Sequence, residues 1–511
     1  MVTRAGRVGG AGGRCAARVV SYARPMRRVA PSAVAGRSRS RAQTVLLAAL
    51  VGLVAIQGCA RPVPQPDLLL LITADTLRAD RLGAYGSTRA LTPHLDALAA
   101  DGVVFTRAYA PASFTVPSVA ALMTGRYPEA LGIWSNESGL PDDAPTLATE
   151  LRARAWRTAA VVSNYVLRRA SGVDRGFEHY DDRYPQREAS RRRPERVAQA
   201  TTADALTALD TCASEGMPCF LWVHYQDPHG PYTPPESLRA HYLERERGVE
   251  GGTTLLAVRA DERGMGGLPR YQVVDDQREV AFYRSGYDAE VRYLDENVGQ
   301  LLAGVRARGL GERAVIVFAA DHGEALGEGD YWFAHGEYLT DPLVRVPLVV
   351  VAPGRHPARR DDLVSLVDVF PTLLRMLVDA PAGAGLGRDL FATAESEEAR
   401  VAYLANLGAA KVPRHGIVEG DYKYVVEEAR DERAGRLYRL GDESTDVGAR
   451  FPEVRDRLAD RLSALRLRMQ DGRPRLRRTL SDIDRAHFRA LGYLEGNNDA
   501  VLPGGERGDV D

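Results

Sequence analysis

Apolar positions along the chain follow two alternating patterns. Short continuous runs of branched side chains occur at 67–72, 158–163, 220–224 and 314–320, and runs of this length predict strands buried on both faces. Helical spacing appears between them at 96–100, 146–155 and 287–308; in the last, Val291, Leu294, Val298, Leu301 and Val305 trace one face. Strands alternating with helices predict an α/β fold, with a mixed, mostly parallel sheet flanked by helices. Beyond Pro353-Gly354, the run at 363–378 predicts a buried helix with Pro371 near a bend, closing the main domain. Strand-like runs at 401–406, 415–419, 422–427 and 436–440 then predict a smaller antiparallel sheet, with helices at 454–469 and 485–494. Segments 183–196 and 243–277 are charged or Gly-rich with little periodicity, and read as loops that line a site or stay irregular. The run Arg191-Arg192-Arg193 reads as a solvated face.

Each predicted strand of the main sheet runs into polar residues. Asp75 follows the first, Asn164 the second, Asp227-Pro228-His229 the third and Asp321-His322 the fourth. In parallel sheets ligands bind beyond the carboxyl ends of the strands, so these segments are expected to face one place. Singly, each has an ordinary structural explanation: Asp75 as a turn cap, His229 as support for a Pro-flanked turn, Asp321-His322-Gly323 as a loop. The stretch 112–128, ASFTVPSVAALMTGRYP, adds a hydroxyl. Thr115 opens an apolar run closed by Gly125, which places it at a helix start. Pro117 is tolerated in a first turn, where its missing N–H has no partner to lose. The free N–H groups and positive dipole end make such a terminus an anion site, although a lone Thr there can equally be an N-cap.

Composition narrows the class. With 511 residues, of which 45% are hydrophobic and 7% aromatic, the chain can bury a sizeable core and hold two or more domains. The formal net charge of −1 sets up no field that would recruit nucleic acid. Residues 1–59 differ from the rest: they are Arg-rich, no acidic residue precedes Asp67, and an apolar run at 45–56 ends in Gln57-Gly58-Cys59. That run is short for a membrane span and suits the apolar region of a secretion signal. Its end resembles a bacterial lipobox, with Cys59 the residue that would carry lipid and 60–66 a Pro-rich spacer; Met26 is an alternative start. The expectation is export to the periplasm or cell envelope, with membrane association through a lipid anchor at Cys59. In an exported protein, Cys212 and Cys219 could close a small disulfide loop or remain thiols.

The segment Thr115-Val116-Pro117-Ser118-Val119, followed by Thr124-Gly125-Arg126, resembles the signature of the sulfatase family in the alkaline phosphatase superfamily, C/S-x-P-S-R and then T-G-R. The resemblance extends through Asp75-Thr76-Leu77-Arg78-Ala79-Asp80, Asp227-Pro228-His229-Gly230-Pro231-Tyr232, Asp321-His322-Gly323-Glu324, His335-Gly336, Gly420-Asp421-Tyr422-Lys423-Tyr424 and Leu491-Gly492-Tyr493-Leu494. It implies an alkaline-phosphatase-like catalytic domain over 67–380, a smaller α+β subdomain over 395–496 and a tail at 497–511. It further implies that Asp75, Asp321 and His322 bind one divalent metal, with the Thr115 hydroxyl and a substrate oxygen completing the shell. His229 and His335 would contact the ester oxygens or protonate the leaving group. Lys423 reads as a surface lysine rather than a site residue.

The departures from the family pattern carry information. Thr115 stands where sulfatases oxidise a Cys or Ser to formylglycine, and a Thr cannot form that aldehyde. Val119 replaces the motif Arg, Thr76 a second Asp, and His322 an Asn. Losing a carboxylate and gaining an imidazole favours zinc or manganese over calcium or magnesium. A covalent ester of Thr115 would have to be released by in-line attack of water or an alcohol, so phosphoric mono- and diesters are expected at least as much as sulfuric esters. The reading is a metal-dependent ester hydrolase acting on a small-molecule, glycan or lipid ester. An envelope phosphoryl-group transferase and a catalytically decayed binding protein are the alternatives.

Overall fold

The main sheet, nine-stranded among the described residues, comprises β1 (Leu68–Ala74), β2 (Val103–Tyr109), β3 (Arg157–Val162), β4 (His179–Asp181), β5 (Cys219–Tyr225), β6 (Ala314–Ala320), β7 (Arg345–Val346), β8 (Leu348–Val351) and β9 (Ala358–Ser365). The structure, a computed structural model, describes residues 66–494 apart from 90, 185, 188–193, 214–215, 262, 381–384, 393–398, 408–411, 429–431 and 470–477. The lipobox with Cys59, the run Arg191-Arg192-Arg193 and the tail at 497–511 therefore lie outside the described residues.

β1 sits at the centre, parallel to β5 on one side and to β6 on the other, with Leu68 opposite both Cys219 and Ala314. β3 and β4 extend the parallel half beyond β5. On the other side β8 runs antiparallel between β6 and β2, while β9 lies parallel to β2. Every residue of β1, β5 and β6 is buried, so both faces of the sheet must be covered by helices. One layer holds α1 (Pro93–Ala100), and the other α2 (Thr115–Thr124) and α3 (Leu147–Arg152). The first layer is completed by α4 (Ala198–Cys212), α5 (Glu236–Arg247) and the 28-residue α6 (Val280–Ala307); α7 (Val369–Val378) joins the second. The Cys212–Cys219 disulfide ties the end of α4 to the start of β5.

Several elements depart from the sequence expectation. The run at 363–378 is not one helix: Leu363, Val364 and Ser365 pair with Arg107, Ala108 and Tyr109 as the end of β9. A capping box between Ser365 and Asp368 then starts the turn that leads into α7, and Pro371 lies in its first turn, where no N–H is missed, rather than at a bend. The strand β2 and the helix α4 had no clear pattern, because β2 is only partly buried and α4 is an Ala/Thr-rich helix with a weak apolar stripe. Part of the apparently structureless 243–277 segment is the end of α5, and the remainder is stitched down by bridges such as Leu255 to Glu279 and Met265 to Tyr331.

The C-terminal part forms an antiparallel sheet of β10 (Ala402–Leu407), β11 (Pro413–Glu419), β12 (Tyr422–Glu427) and β13 (Arg436–Arg439), followed by α8 (Pro452–Met469) and α9 (Asp482–Ala490). Tyr403, Ile417 and Tyr424 from this sheet share a core with Ala121, Tyr127 and Val367 of the main part, and with Leu458 and Leu462 of α8. The predicted helix over 485–494 stops at Ala490, and Gly492, at φ 80°, turns the chain back.

Lys423 is a correction. It is 1% exposed, not a surface residue, and its ammonium lies 2.5 Å from carboxylates of both Asp341 and Glu443 while donating to the Leu339 carbonyl at 3.0 Å. Burial pushes its pKa down, but the two acidic neighbours outweigh that and raise it. Removing one member of a buried ion group strands the others. Lys423→Met is therefore expected to cost about 3–5 kcal/mol, read as a lower urea midpoint at unchanged slope.

Candidate active site

The site begins with the way β1 ends. Asp75 donates its N–H to the Tyr225 carbonyl (2.9 Å), and Asp321 donates its own to the Ala74 carbonyl (3.1 Å), so the parallel register sets two Asp residues side by side. Thr76 then adopts φ 55°, a strained conformation for a β-branched residue that costs about 1–3 kcal/mol. Its backbone is held there from both sides: the N–H donates to Asp321 Oδ1 (3.2 Å) and the carbonyl accepts from the Tyr287 hydroxyl of α6 (2.8 Å).

Thr115 arrives on the first position of α2. The Asn136 side chain accepts the Val116 N–H (2.8 Å), and the Ser118 hydroxyl donates to the Asp321 carbonyl (2.6 Å), pinning the first turn of the helix to the end of β6. Val119, in the place of the motif Arg, is buried in the main core and brings no charge.

Ligating atoms of Asp75, Asp321 and His322 lie within 4.8 Å of one another. His322 Nε2 is 3.7 Å from Asp75 Oδ1, 3.7 Å from Asp321 Oδ2 and 3.4 Å from Thr115 Oγ1. The other ring nitrogen, Nδ1, donates to the Gly323 carbonyl (2.9 Å), which leaves the Nε2 lone pair facing the cluster. Asp75 Oδ1 and Asp321 Oδ2 are buried without a hydrogen-bond partner among the described residues. Orphaned acceptors of this kind call for a donor or ion from outside the chain. Burial pushes the Asp321 carboxyl well up and the Asp75 charge adds to it. Burial also acts on Asp75, but the imidazoles of His229, His224 and His322 outweigh it and hold that carboxyl below the usual range. Two adjoining carboxyls in a dry site cannot both ionise without a counter-charge, and a divalent cation fits this donor set.

His229 and His335 stand opposite. His229 Nδ1 donates to the Gly230 carbonyl (2.7 Å), and Nε2 accepts from the Tyr493 hydroxyl (2.8 Å). His335 Nδ1 shares a hydrogen bond with one oxygen of Glu324 (3.1 Å), whose other oxygen accepts from Tyr232 (3.2 Å). Burial lowers the pKa of both imidazoles, that of His335 to about 4, and pushes Glu324 up to about 8. The His335 ring centroid is 4.6 Å from that of His322 and 5.2 Å from that of His229.

All six residues singled out from the sequence, Asp75, Thr115, His229, Asp321, His322 and His335, thus converge. Lys423 does not, being held by Asp341 and Glu443. Other side chains belong here without having been assigned a role: Asn164, whose amide donates to Asp75 Oδ2, and Glu324 behind His335. Tyr493 covers the cluster. Its one signal in the sequence was the Leu491-Gly492-Tyr493-Leu494 motif.

The chain is similar to known proteins in sequence and in fold. The family model described as Sulfatase matches residues 67–380. Over 395 residues the chain is 25% identical to the ulvan-active sulfatase of Formosa agariphila, spanning 70% of this chain and 72% of that protein. It is 27% identical over 384 residues to the iduronate 2-sulfatase of Homo sapiens, spanning 60% and 68%. Among solved structures, the phosphonate monoester hydrolase of Agrobacterium radiobacter has the same fold, with a TM-score of 0.62 at 22% identity over 79% of this chain and 96% of that one. With the family model spanning the whole sheet whose strand ends carry the cluster, this chain belongs to the sulfatase family.

Proposed function

We propose that the protein is a metal-dependent hydrolase of sulfuric or phosphoric esters in which Thr115 is the nucleophile. The observation that carries this reading is the 3.4 Å approach of Thr115 Oγ1 to His322 Nε2 at the edge of the Asp75, Asp321 and His322 cluster. A divalent cation held by those three residues would supply Lewis acidity, which for bound water lowers the pKa by about eight units. Two carboxylates with one imidazole favour zinc or manganese over calcium or magnesium.

The remaining work falls to side chains of this chain. Thr115 Oγ attacks the sulfur or phosphorus, and the bond to the leaving alcohol breaks in line. His229 and His335, with ring centroids 5.2 Å apart, handle the protons: as an imidazolium either can hydrogen-bond the oxygens of the transferring group or protonate the leaving alcohol. Water then attacks the Thr115 ester and regenerates the hydroxyl. Because Thr115 cannot form formylglycine, phosphoric mono- and diesters stand beside the sulfuric esters that the family relationship favours. Export, with anchoring through Cys59, is proposed on the leader sequence and supported by the Cys212–Cys219 disulfide, a bond favoured outside the cytoplasm.

Thr115→Ala is expected to abolish turnover on a panel of aryl sulfates, phosphate mono- and diesters and phosphonate esters, with melting temperature and metal content unchanged. Turnover at the wild-type rate in that variant would remove Thr115 from the chemistry. Asp321→Asn, which takes a ligand and its charge from the cluster, is expected to weaken metal affinity by more than the roughly 10–100-fold that loss of an outer partner costs; elemental analysis after dialysis against chelator reads this directly.

A further inference from the structure

A second group of buried carboxyls lies outside the Asp75, Asp321 and His322 cluster. A cavity of about 20 Å³ is lined by Glu195, Arg196, Gln226, Asp227, His229 and Glu290, together with Val197 and Pro231. That volume has room for one water-sized particle. Three separate elements meet there. Asp227 belongs to the turn after β5, closed by the His229 N–H on the Gln226 carbonyl at 2.7 Å; Glu290 lies within α6; Glu195 stands just before α4.

Asp227 and Glu290 are 8% and 6% exposed, and among the described residues neither forms an ion pair with Lys, Arg or His. Other buried carboxylates of this chain do: Asp288 pairs with Arg81 at 3.0 Å and Asp181 with Arg196 at 2.7 Å. Arg196 is the one guanidinium at the cavity, and it is committed to Asp181, to Asp204 and to the carbonyls of Val162 and Asp181. Asp227 Oδ2 is buried without a hydrogen-bond partner among the described residues. Burial pushes the Asp227 carboxyl up to about 6; it pushes Glu290 well up, and the Asp227 charge adds to that. Two such carboxyls need a shared proton or a cation. A shared proton would join Asp227 to Glu290 alone, and would give no part to the cavity, to the third carboxylate at Glu195 or to the Gln226 amide oxygen. A cation uses all of them.

We propose that this cavity is a second cation site, separate from the Asp75 cluster, and that it takes one calcium ion. Its donors are hard oxygens. The carboxylates of Asp227 and Glu290 bind the ion, neutral oxygens and water complete the shell, and Glu195 adds negative charge. Only the Asp75 cluster brings three ligating side chains within 4.8 Å of one another among the described residues, so the shell here is an open one, of the kind that calcium, with six to eight oxygens in flexible geometry, accepts. His229 is not a ligand, because its Nδ1 is engaged by the Gly230 carbonyl and its Nε2 by the Tyr493 hydroxyl. Without an imidazole the site differs in preference from the first cluster, which favours zinc or manganese. The bound ion ties the turn that carries His229 to α6 and to the segment entering α4.

The test uses the full chain carrying Asp321→Asn, which takes a ligand from the first cluster, so that calcium bound by this protein reports the second site. Equilibrium dialysis with radiolabelled calcium is expected to count one ion per chain, with a Kd of about 10⁻⁴–10⁻³ M, and calcium is expected to raise the melting temperature. Adding Glu290→Gln or Asp227→Asn, neutral amides of the same shape, is expected to weaken binding about tenfold or more and to remove that rise, while the melting temperature in chelator holds or increases because two like charges no longer adjoin. No stoichiometric calcium in the Asp321→Asn protein, or an unchanged Kd after both amide substitutions, would overturn the site. A fall in the chelator melting temperature with both amides, in a parent that does not respond to calcium, would put a shared proton in its place. If Asp321→Asn does not fold, the wild type and Glu290→Gln are compared instead, and the site stands only if they differ by one calcium per chain. None of these outcomes bears on Thr115.

Discussion

Two carboxyl groups that cannot comfortably share a dry space set the terms for the rest of this structure. Asp75 and Asp321 follow neighbouring parallel strands whose register leaves no freedom to separate them, and both are essentially without solvent contact. Around them the chain concentrates compensating features: imidazoles of His224, His229 and His322, an amide from Asn164, and backbone N–H groups from Thr76 and His322. None of these partners hydrogen-bonds Asp75 Oδ1 or Asp321 Oδ2, to which His322 Nε2 comes no nearer than 3.7 Å. The unmet demand of those two oxygens fits a cation better than a buried structural knot.

The cost of such a site appears in the backbone beside it. Thr76 is held at φ 55° although β-branched residues resist that region, and Phe333, two residues before His335, sits at φ 47°. Thr76 turns the chain just past the end of β1, and Phe333 lies at an irregularity within the short strand Trp332–Ala334 that precedes His335. The main sheet, buried on both faces, supplies the rigidity that keeps these residues in place, and α2 brings Thr115 to the cluster through its attachment to Asp321.

A second layer of control comes from far along the chain. α9 and the turn after it reach back to His229 and His335 and place a phenol against them. The C-terminal sheet, sharing a core with α2 through Ala121, braces the same helix from behind. The last described residues are therefore part of the site as much as the strands at the beginning.

Much of this was legible from the order of residues alone. Short continuous apolar runs that end in polar turns read as strands in a covered sheet, so β1, β3, β5 and β6 followed from the pattern, and with them the gathering of Asp75, His229, Asp321 and His322 at one edge. Thr115 was marked by a helix start and by the motif around it. Tertiary structure alone decided three things. Leu363 to Ser365 pair with β2 instead of joining α7, because ladder hydrogen bonds to a neighbouring strand override a helical spacing. Lys423 is buried, because two acidic groups distant in sequence meet it. Tyr493 meets His229, because a left-handed turn at Gly492 and the docking of α9 bring together residues separated by more than half of the chain. Periodicity reports which face of an element is covered; it holds no information about which distant side chain does the covering, and that is where the remainder of the site was hidden.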